Sequence, residues 1–238
     1  MKLERERAEV VRYAQSLRPD GLVVGTSGNL SIRVGDLVVA TPSGLDYDAL
    51  TPELVCVCDL EGRLLEGPLE PTSEMPLHLS VYTTTAHQAV VHTHATAAAA
   101  VSLLVDELPS IHYLVALFGG AVRVAPYATY GTPELASSVI EALEGRTGAL
   151  MANHGTVTVG TNLAQAYTLN HYLEWLCEVW LRASTAGGTM GLQPRELPPE
   201  EIERVIAKFA TYGQAVPADQ AEPSGETSAD PSGETSGG

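Results

Sequence analysis

Aromatic residues, cysteines and basic side chains are all scarce in this chain. Aromatics make up 5% of its 238 residues, so a core has to be built mainly of Ala, Val and Leu. Cys56, Cys58 and Cys177 are too few and too unevenly placed for a disulfide framework, which agrees with a reducing cytoplasm. No apolar run approaches the roughly 18 residues of a membrane-spanning helix, and no basic-then-apolar signal opens the chain, so no membrane partner is expected. Thirteen Lys and Arg against 29 Asp and Glu leave a formal net charge of −16, which argues against nucleic acid and anionic membrane surfaces. A phosphorylated small molecule stays compatible with that charge, because backbone N–H groups hold phosphate without a basic patch.

What is present reads as a folded protein. Apolar residues reach 45% and charged residues 18%, and the length supports a sizeable core. From Pro217 onward the character changes. Pro223-Ser224-Gly225-Glu226-Thr227-Ser228 is nearly repeated by Pro231-Ser232-Gly233-Glu234-Thr235-Ser236, with no large apolar residue. Such a segment cannot offset its ordering entropy, so residues 217–238 are expected to be a disordered acidic tail. Its five carboxylates account for part of the −16 and leave −11 on the body.

Helices and short strands alternate through that body. Residues 3–18 carry Val10, Val11, Ala14 and Leu17 at helical spacing and stop at Pro19-Asp20-Gly21. Strands are expected at 36–40, 54–60, 63–65, 89–95, 121–125, 149–152 and 156–159. Helices are expected from near Glu74, with Thr72 or Ser73 as cap, and at 96–104, 132–143, 162–186 and 199–212. Strand–turn–strand links with few long crossovers predict one α/β/α domain with a mixed, largely antiparallel central sheet.

Three short pieces read as one site: Pro71-Thr72-Ser73-Glu74, His92-Thr93-His94 and Asn153-His154-Gly155. On a strand, side chains alternate, so His92 and His94 point the same way with Thr93 turned aside. Two imidazoles on one face form a plausible chelate, and three protein ligands with an open position is the pattern of catalytic zinc. His154, in a turn between apolar runs, is the natural third imidazole, and Glu74 the carboxylate that faces the metal. His78, one helical turn on, is a fourth ligand, a residue that orients Glu74, or a core histidine. Cys56 and Cys58 share a strand face, but without a second thiol pair they read as small hydrophobes. Gly25-Thr26-Ser27-Gly28-Asn29 and Thr41-Pro42-Ser43-Gly44 are turns that also allow close backbone approach to an anion.

These motifs resemble those of the class II aldolase/adducin family, in the family's order, from about residue 5 to 213. The similarity is strongest to its fuculose-phosphate aldolase branch, through Ile111-His112-Tyr113, Pro126-Tyr127-Ala128-Thr129-Tyr130-Gly131-Thr132 and Lys208-Phe209-Ala210-Thr211-Tyr212-Gly213. The resemblance implies a catalytic domain over residues 1–216, assembled as a homotetramer with active sites between subunits. It implies Zn2+ held by His92, His94 and His154, with Glu74 as general base and as a ligand before substrate arrives. Phosphate contacts carry over to Gly28, Asn29, Ser43, Gly44, Thr72 and Ser73. Tyr113 corresponds to the proton donor/acceptor on the aldehyde oxygen, supplied by the adjacent subunit, and Tyr212 to a tyrosine that closes the site. Asn153 and Phe118 are expected beside the site, where they depart from the fuculose pattern.

The implied reaction is cleavage of a ketose 1-phosphate to dihydroxyacetone phosphate and a small aldehyde. Related zinc enzymes, the epimerases, decarboxylases and dehydratases of sugar phosphates, are the alternatives, along with a non-catalytic adducin-like interaction module. The epimerases carry Asp where this chain has Glu74, and all three histidines are present, which favours the aldolase.

Overall fold

β-Rich runs separated by glycine turns form a nine-stranded sheet in the computed structural model, which describes residues 1–211. Tyr212 and the segment 217–238 lie outside the described residues. The strands are β1 (Asn29–Val34), β2 (Leu37–Ala40), β3 (Cys56–Asp59), β4 (Leu64–Glu66), β5 (Ala89–Thr93), β6 (Glu107–Leu108), β7 (Val122–Ala125), β8 (Gly148–Met151) and β9 (Gly155–Gly160). Their order across the sheet is β4-β3-β2-β1-β5-β9-β8-β7-β6. The β7–β8 pair is parallel and the other paired neighbours run antiparallel, so the sheet is mixed and largely antiparallel, as the sequence predicts.

Alternation along the strands sorts side chains between two layers of helices. Leu30, Ile32, Val39, Val57, Ala89 and Val91 face α1 (Glu4–Leu17), α3 (Thr96–Val101) and α5 (Leu163–Met190). Val38, Ala40, Val90, Ala149, Met151 and Val157 face α2 (Met75–Thr84) and α4 (Pro133–Ala142). Cys56 and Cys58 are buried in this second layer as free thiols, where burial pushes them up to about 12 and about 11. They pack as small apolar side chains.

Some boundaries differ from expectation. α5 runs through Gly187 and Gly188 instead of stopping at Ala186. A Cβ on Gly187 would meet the Leu192 carbonyl at 2.6 Å, so the bare glycine lets the chain fold back and Leu192 N–H close on the Gly187 carbonyl. The last helix, α6 (Pro199–Phe209), ends before Tyr212. Neither Thr72 nor Ser73 caps α2: Glu74 holds that position with no side-chain cap, because its carboxylate is turned toward the histidines. Thr72 Oγ1 instead accepts from the Glu74 N–H at 3.2 Å. Phe118 is fully buried against Gly148, away from the site expected for it.

β5 lies at the centre of the sheet and is buried along its whole length. β8 and β9 form a hairpin whose turn needs Asn153 at a φ of 57°, a left-handed conformation that Asn tolerates. Gly155 opens β9 where a Cβ would stand 2.1 Å from the Thr93 carbonyl, so the hairpin can sit tight on the histidine strand. Gly155→Ala should therefore destabilise the protein by about 1–3 kcal/mol or more, through overpacking against backbone that cannot yield. Thermal melts of the metal-stripped protein measure this without interference from ligand binding.

Candidate metal centre and active site

The two-residue alternation on β5 turns His92 and His94 to the α2 side, while Thr93 turns back to α5. There the Thr93 hydroxyl donates to Asn170 Oδ1 at 2.7 Å, and the Asn170 amide donates to the hydroxyls of Thr156 and Thr158. This buried cluster ties β5 and β9 together from behind. The hairpin turn brings in His154, and the entry to α2 brings in Glu74. The three imidazole rings meet edge-on with centroids 4.8–4.9 Å apart. Ligand atoms of Glu74, His92, His94 and His154 all lie within 4.8 Å of one another. His78 is not in this group.

The arrangement fits a divalent metal on its own chemistry. His92 Nδ1–H donates to the Thr156 carbonyl at 2.7 Å, which leaves Nε2 as the bare nitrogen of the neutral ring. That Nε2 stands 3.1 Å from His94 Nε2 and 2.9 Å from Glu74 Oε2, so in the neutral ring lone pairs face lone pairs, a repulsion that a proton on His92 or a metal ion relieves. Glu74 Oε1 is buried with no hydrogen-bond partner among the described residues and stands 3.5 Å from His154 Nε2. Ligands ~2.0–2.1 Å from a tetrahedral zinc are about 3.3 Å apart, and these separations straddle that value.

Electrostatics agree with a centre made for positive charge. Burial alone would raise the Glu74 carboxyl, but His92 and the Asn29 amide hold it well below the usual carboxylate range. Burial and then the neighbouring imidazoles push both His94 and His154 down to about 4. His92 is raised, since Glu74 outweighs its burial. His78 is pushed down to about 3, first by burial.

Next to the metal cluster, two loops are laced together by backbone hydrogen bonds. Ser43 N–H donates to the Glu70 carbonyl at 3.0 Å and Thr72 N–H to the Thr41 carbonyl at 3.1 Å, with Pro42 bridged to Pro71. Ser43 and Gly44 are thereby set beside Thr72 and Ser73. Gly28 completes the group at a φ of 77°, where a Cβ would meet the His92 carbonyl at 2.8 Å. Its loop is held by the Tyr47 hydroxyl, which donates to the Gly28 carbonyl at 2.6 Å.

One cavity of about 340 Å³ takes in Gly28, Asn29, Ser43, Gly44, Thr72 and Ser73 together with Glu74, His94 and His154. Its described lining contains neither Lys nor Arg, so an anion there meets neutral N–H and O–H donors. The Asn29 side chain donates to Glu74 at 2.9 Å, and its backbone is paired with His92 across β1 and β5.

Tyr113 is elsewhere. It is 48% exposed, stands near Phe209 with ring centroids 6.3 Å apart, and lines a separate apolar groove with Leu114, Leu117 and Tyr172. Within one chain it does not share the cavity of Glu74. Conversely, Tyr127 and Tyr130, for which no local pattern predicts a role, line the cavity mouth. Asn153 lines it as expected.

The family model for the class II aldolase and adducin N-terminal domain matches residues 8–181. The chain belongs to this family. It is 38% identical over 217 residues to 5-deoxy-D-ribulose 1-phosphate aldolase of Bacillus thuringiensis serovar kurstaki, covering 90% of this chain and 100% of that one. With L-fuculose phosphate aldolase of Escherichia coli it shares 39% over 195 residues, 81% of this chain and 88% of the relative. A solved L-fuculose 1-phosphate aldolase superposes with a TM-score of 0.82 at 36% identity, covering 87% of this chain and 96% of that chain. The family assignment and the Glu/His3 cluster together make this an aldolase-type lyase with a site for a divalent metal.

Stability should depend on pH in a definite direction. The unfolded chain protonates histidine near 6.5, whereas folded His94 and His154 resist until about 4 and His78 until about 3. Unfolding takes up protons in that window, so the metal-stripped protein loses stability as pH falls from 6.5 to about 4. His92, being raised, acts in the opposite sense only above 6.5, outside that window. Tm measured with a chelator at successive pH values should decline across this range; a flat profile contradicts the neutral-imidazole cluster.

Proposed function

We propose that this chain is a zinc-dependent aldolase that cleaves a ketose 1-phosphate of the L-fuculose 1-phosphate type. The products are dihydroxyacetone phosphate and a small aldehyde. The single observation that carries this reading is that Glu74, His94 and His154, clustered with the buried His92, open into one cavity with the hydroxyl- and glycine-lined loops. Two relatives named for ketose phosphates of different sugars support the shared part of those substrates, the phosphorylated three-carbon end.

In this reading His92, His94 and His154 hold the ion, with Glu74 as a further ligand before substrate binds. Zinc, when bound, supplies a concentrated positive charge beside the carbon–carbon bond that breaks, acting as a Lewis acid. Gly28, Asn29, Ser43, Gly44, Thr72 and Ser73 bind the phosphate through neutral donors and so set the distance from phosphate to reacting carbon. Glu74, held ionised, is the base: Oε1 has no hydrogen-bond partner among the described residues and accepts the proton on the hydroxylated carbon of dihydroxyacetone phosphate. In the cleavage direction it returns that proton.

Tyr113 exchanges a proton with the aldehyde oxygen. Its exposed position in a groove apart from Glu74 supports its delivery to the site of a neighbouring copy in a homotetramer. Tyr212 is assigned to closing the site. The catalytic domain is residues 1–216, the segment 217–238 is a dispensable tail, and the compartment is the cytoplasm.

Two measurements test this. Elemental analysis should find about one zinc per native chain, as for a catalytic site with an open position, and none in a His92→Ala/His94→Ala variant that still folds. Glu74→Gln should abolish both cleavage and solvent exchange of the carbon-bound proton of dihydroxyacetone phosphate, followed by NMR in heavy water. Tyr113→Phe should slow cleavage by about 10²–10⁴-fold yet keep the exchange. If the native zinc protein exchanges no proton, the aldolase reading fails.

A further inference from the structure

A chain of buried polar side chains runs from Glu74 into the layer between the sheet and α2, and none of the steps above uses it. Asn29 Nδ2–H donates to Glu74 Oε2 at 2.9 Å, and Asn29 Oδ1 lies 2.5 Å from His78 Nε2. His78 Nδ1 lies 2.6 Å from Ser31 Oγ, which lies 2.6 Å from the Tyr82 hydroxyl. Asn29, Ser31, His78 and Tyr82 are each 5% exposed or less.

The polarity of this chain follows from its end at Glu74. An ionised carboxylate only accepts, so Asn29 turns its NH2 toward Glu74 and its carbonyl toward His78. That carbonyl needs a donor, which fixes the proton of the His78 ring on Nε2. A fully buried imidazole with no ion partner of its own is neutral, so Nδ1 accepts from the Ser31 hydroxyl. Ser31 in turn accepts from Tyr82. Each member donates toward the carboxylate. The chain is no proton conduit, because it ends at Tyr82, 1% exposed, and an amide interrupts it.

Oε2 of Glu74 has a second partner, His92 Nε2 at 2.9 Å. That nitrogen belongs to the candidate metal centre, and a ligating nitrogen donates no hydrogen bond. Asn29 then becomes the hydrogen bond that fixes Oε2 among the described residues.

We propose that His78 is a positioning residue for Glu74: its Nε2–H locks the Asn29 amide so that Oε2 is pinned and Oε1 is presented to the substrate. With the lock gone, the amide can rotate and set its carbonyl against the carboxylate, which then turns away. The inference rests on Glu74 being the base.

His78→Phe keeps a ring of similar shape without the donor, and His78→Gln places an amide N–H where Nε2 stands. Both should fold and bind zinc as the native protein does. In His78→Phe, kcat should fall about 10–100-fold with KM nearly unchanged, the size usual for lost outer-shell hydrogen bonds. His78→Gln should stay near native. A readout that needs no turnover is NMR of the Asn29 side-chain amide in the metal-stripped protein. Its two protons should be slow to exchange with solvent in the native protein and His78→Gln, and fast in His78→Phe. If the native protein cleaves no ketose 1-phosphate, the functional reading fails, while the amide spectra still decide the lock. Native kcat in His78→Phe overturns the proposal. So does His78→Gln as slow as His78→Phe, or loss of zinc from His78→Phe, which would make His78 a support of the metal. Should His78→Phe not fold, His78→Asn takes its place: its shorter amide offers Asn29 no donor and must be slow, and native turnover there overturns the proposal equally.

Discussion

Crowding of acceptor atoms is the constraint on which the rest of this molecule depends. His92 Nε2, His94 Nε2 and Glu74 Oε2 are pressed to about hydrogen-bond distance, and without a proton or a metal ion among them they repel. Something has to hold them there. The sheet does it by giving β5 the central place, with β1 and β9 bonded to either side. Behind β5, Asn170 gathers the hydroxyls of Thr93, Thr156 and Thr158; in front, Asn29 and His78 brace the carboxylate. Behind β5 the polar groups are satisfied, so their burial costs little and the support they give the front is rigid.

How much of this could be read from the chain varies by residue. The shared face of His92 and His94 needs nothing more than strand alternation, which is a local property. The meeting of those two with Glu74 and His154 was legible only as a joint pattern of motifs, because it depends on contacts between residues far apart in sequence. The brace around Glu74 was partly in view: Asn29 and Ser31 alternate onto one face of β1, and His78 and Tyr82 stand one turn apart on α2. What strand and helix periods could not say is that α2 packs over β1, so that these polar pairs face each other. Phe118 and the end of α5 failed for a similar reason. Packing against Gly148 draws the first inward, and a fold-back at Leu192 lengthens the second. Tyr113 shows the opposite case, since no amount of local pattern places a side chain whose target, in the proposed assembly, belongs to another copy.

The phosphate-binding loops carry a kinetic consequence. Their described lining offers no fixed positive charge, and the protein around them bears a net −16. Hydrogen bonds of this kind act over a few ångströms, whereas the field of the whole surface reaches the approaching dianion from much further away. Diffusional encounter is therefore opposed until the ligand is almost seated. Counterions relieve that opposition: the screening length is about 30 Å at 0.01 M ionic strength and about 8 Å at 0.15 M. Encounter should thus quicken as salt rises toward physiological levels, the reverse of the behaviour of sites that draw phosphate in with lysine and arginine.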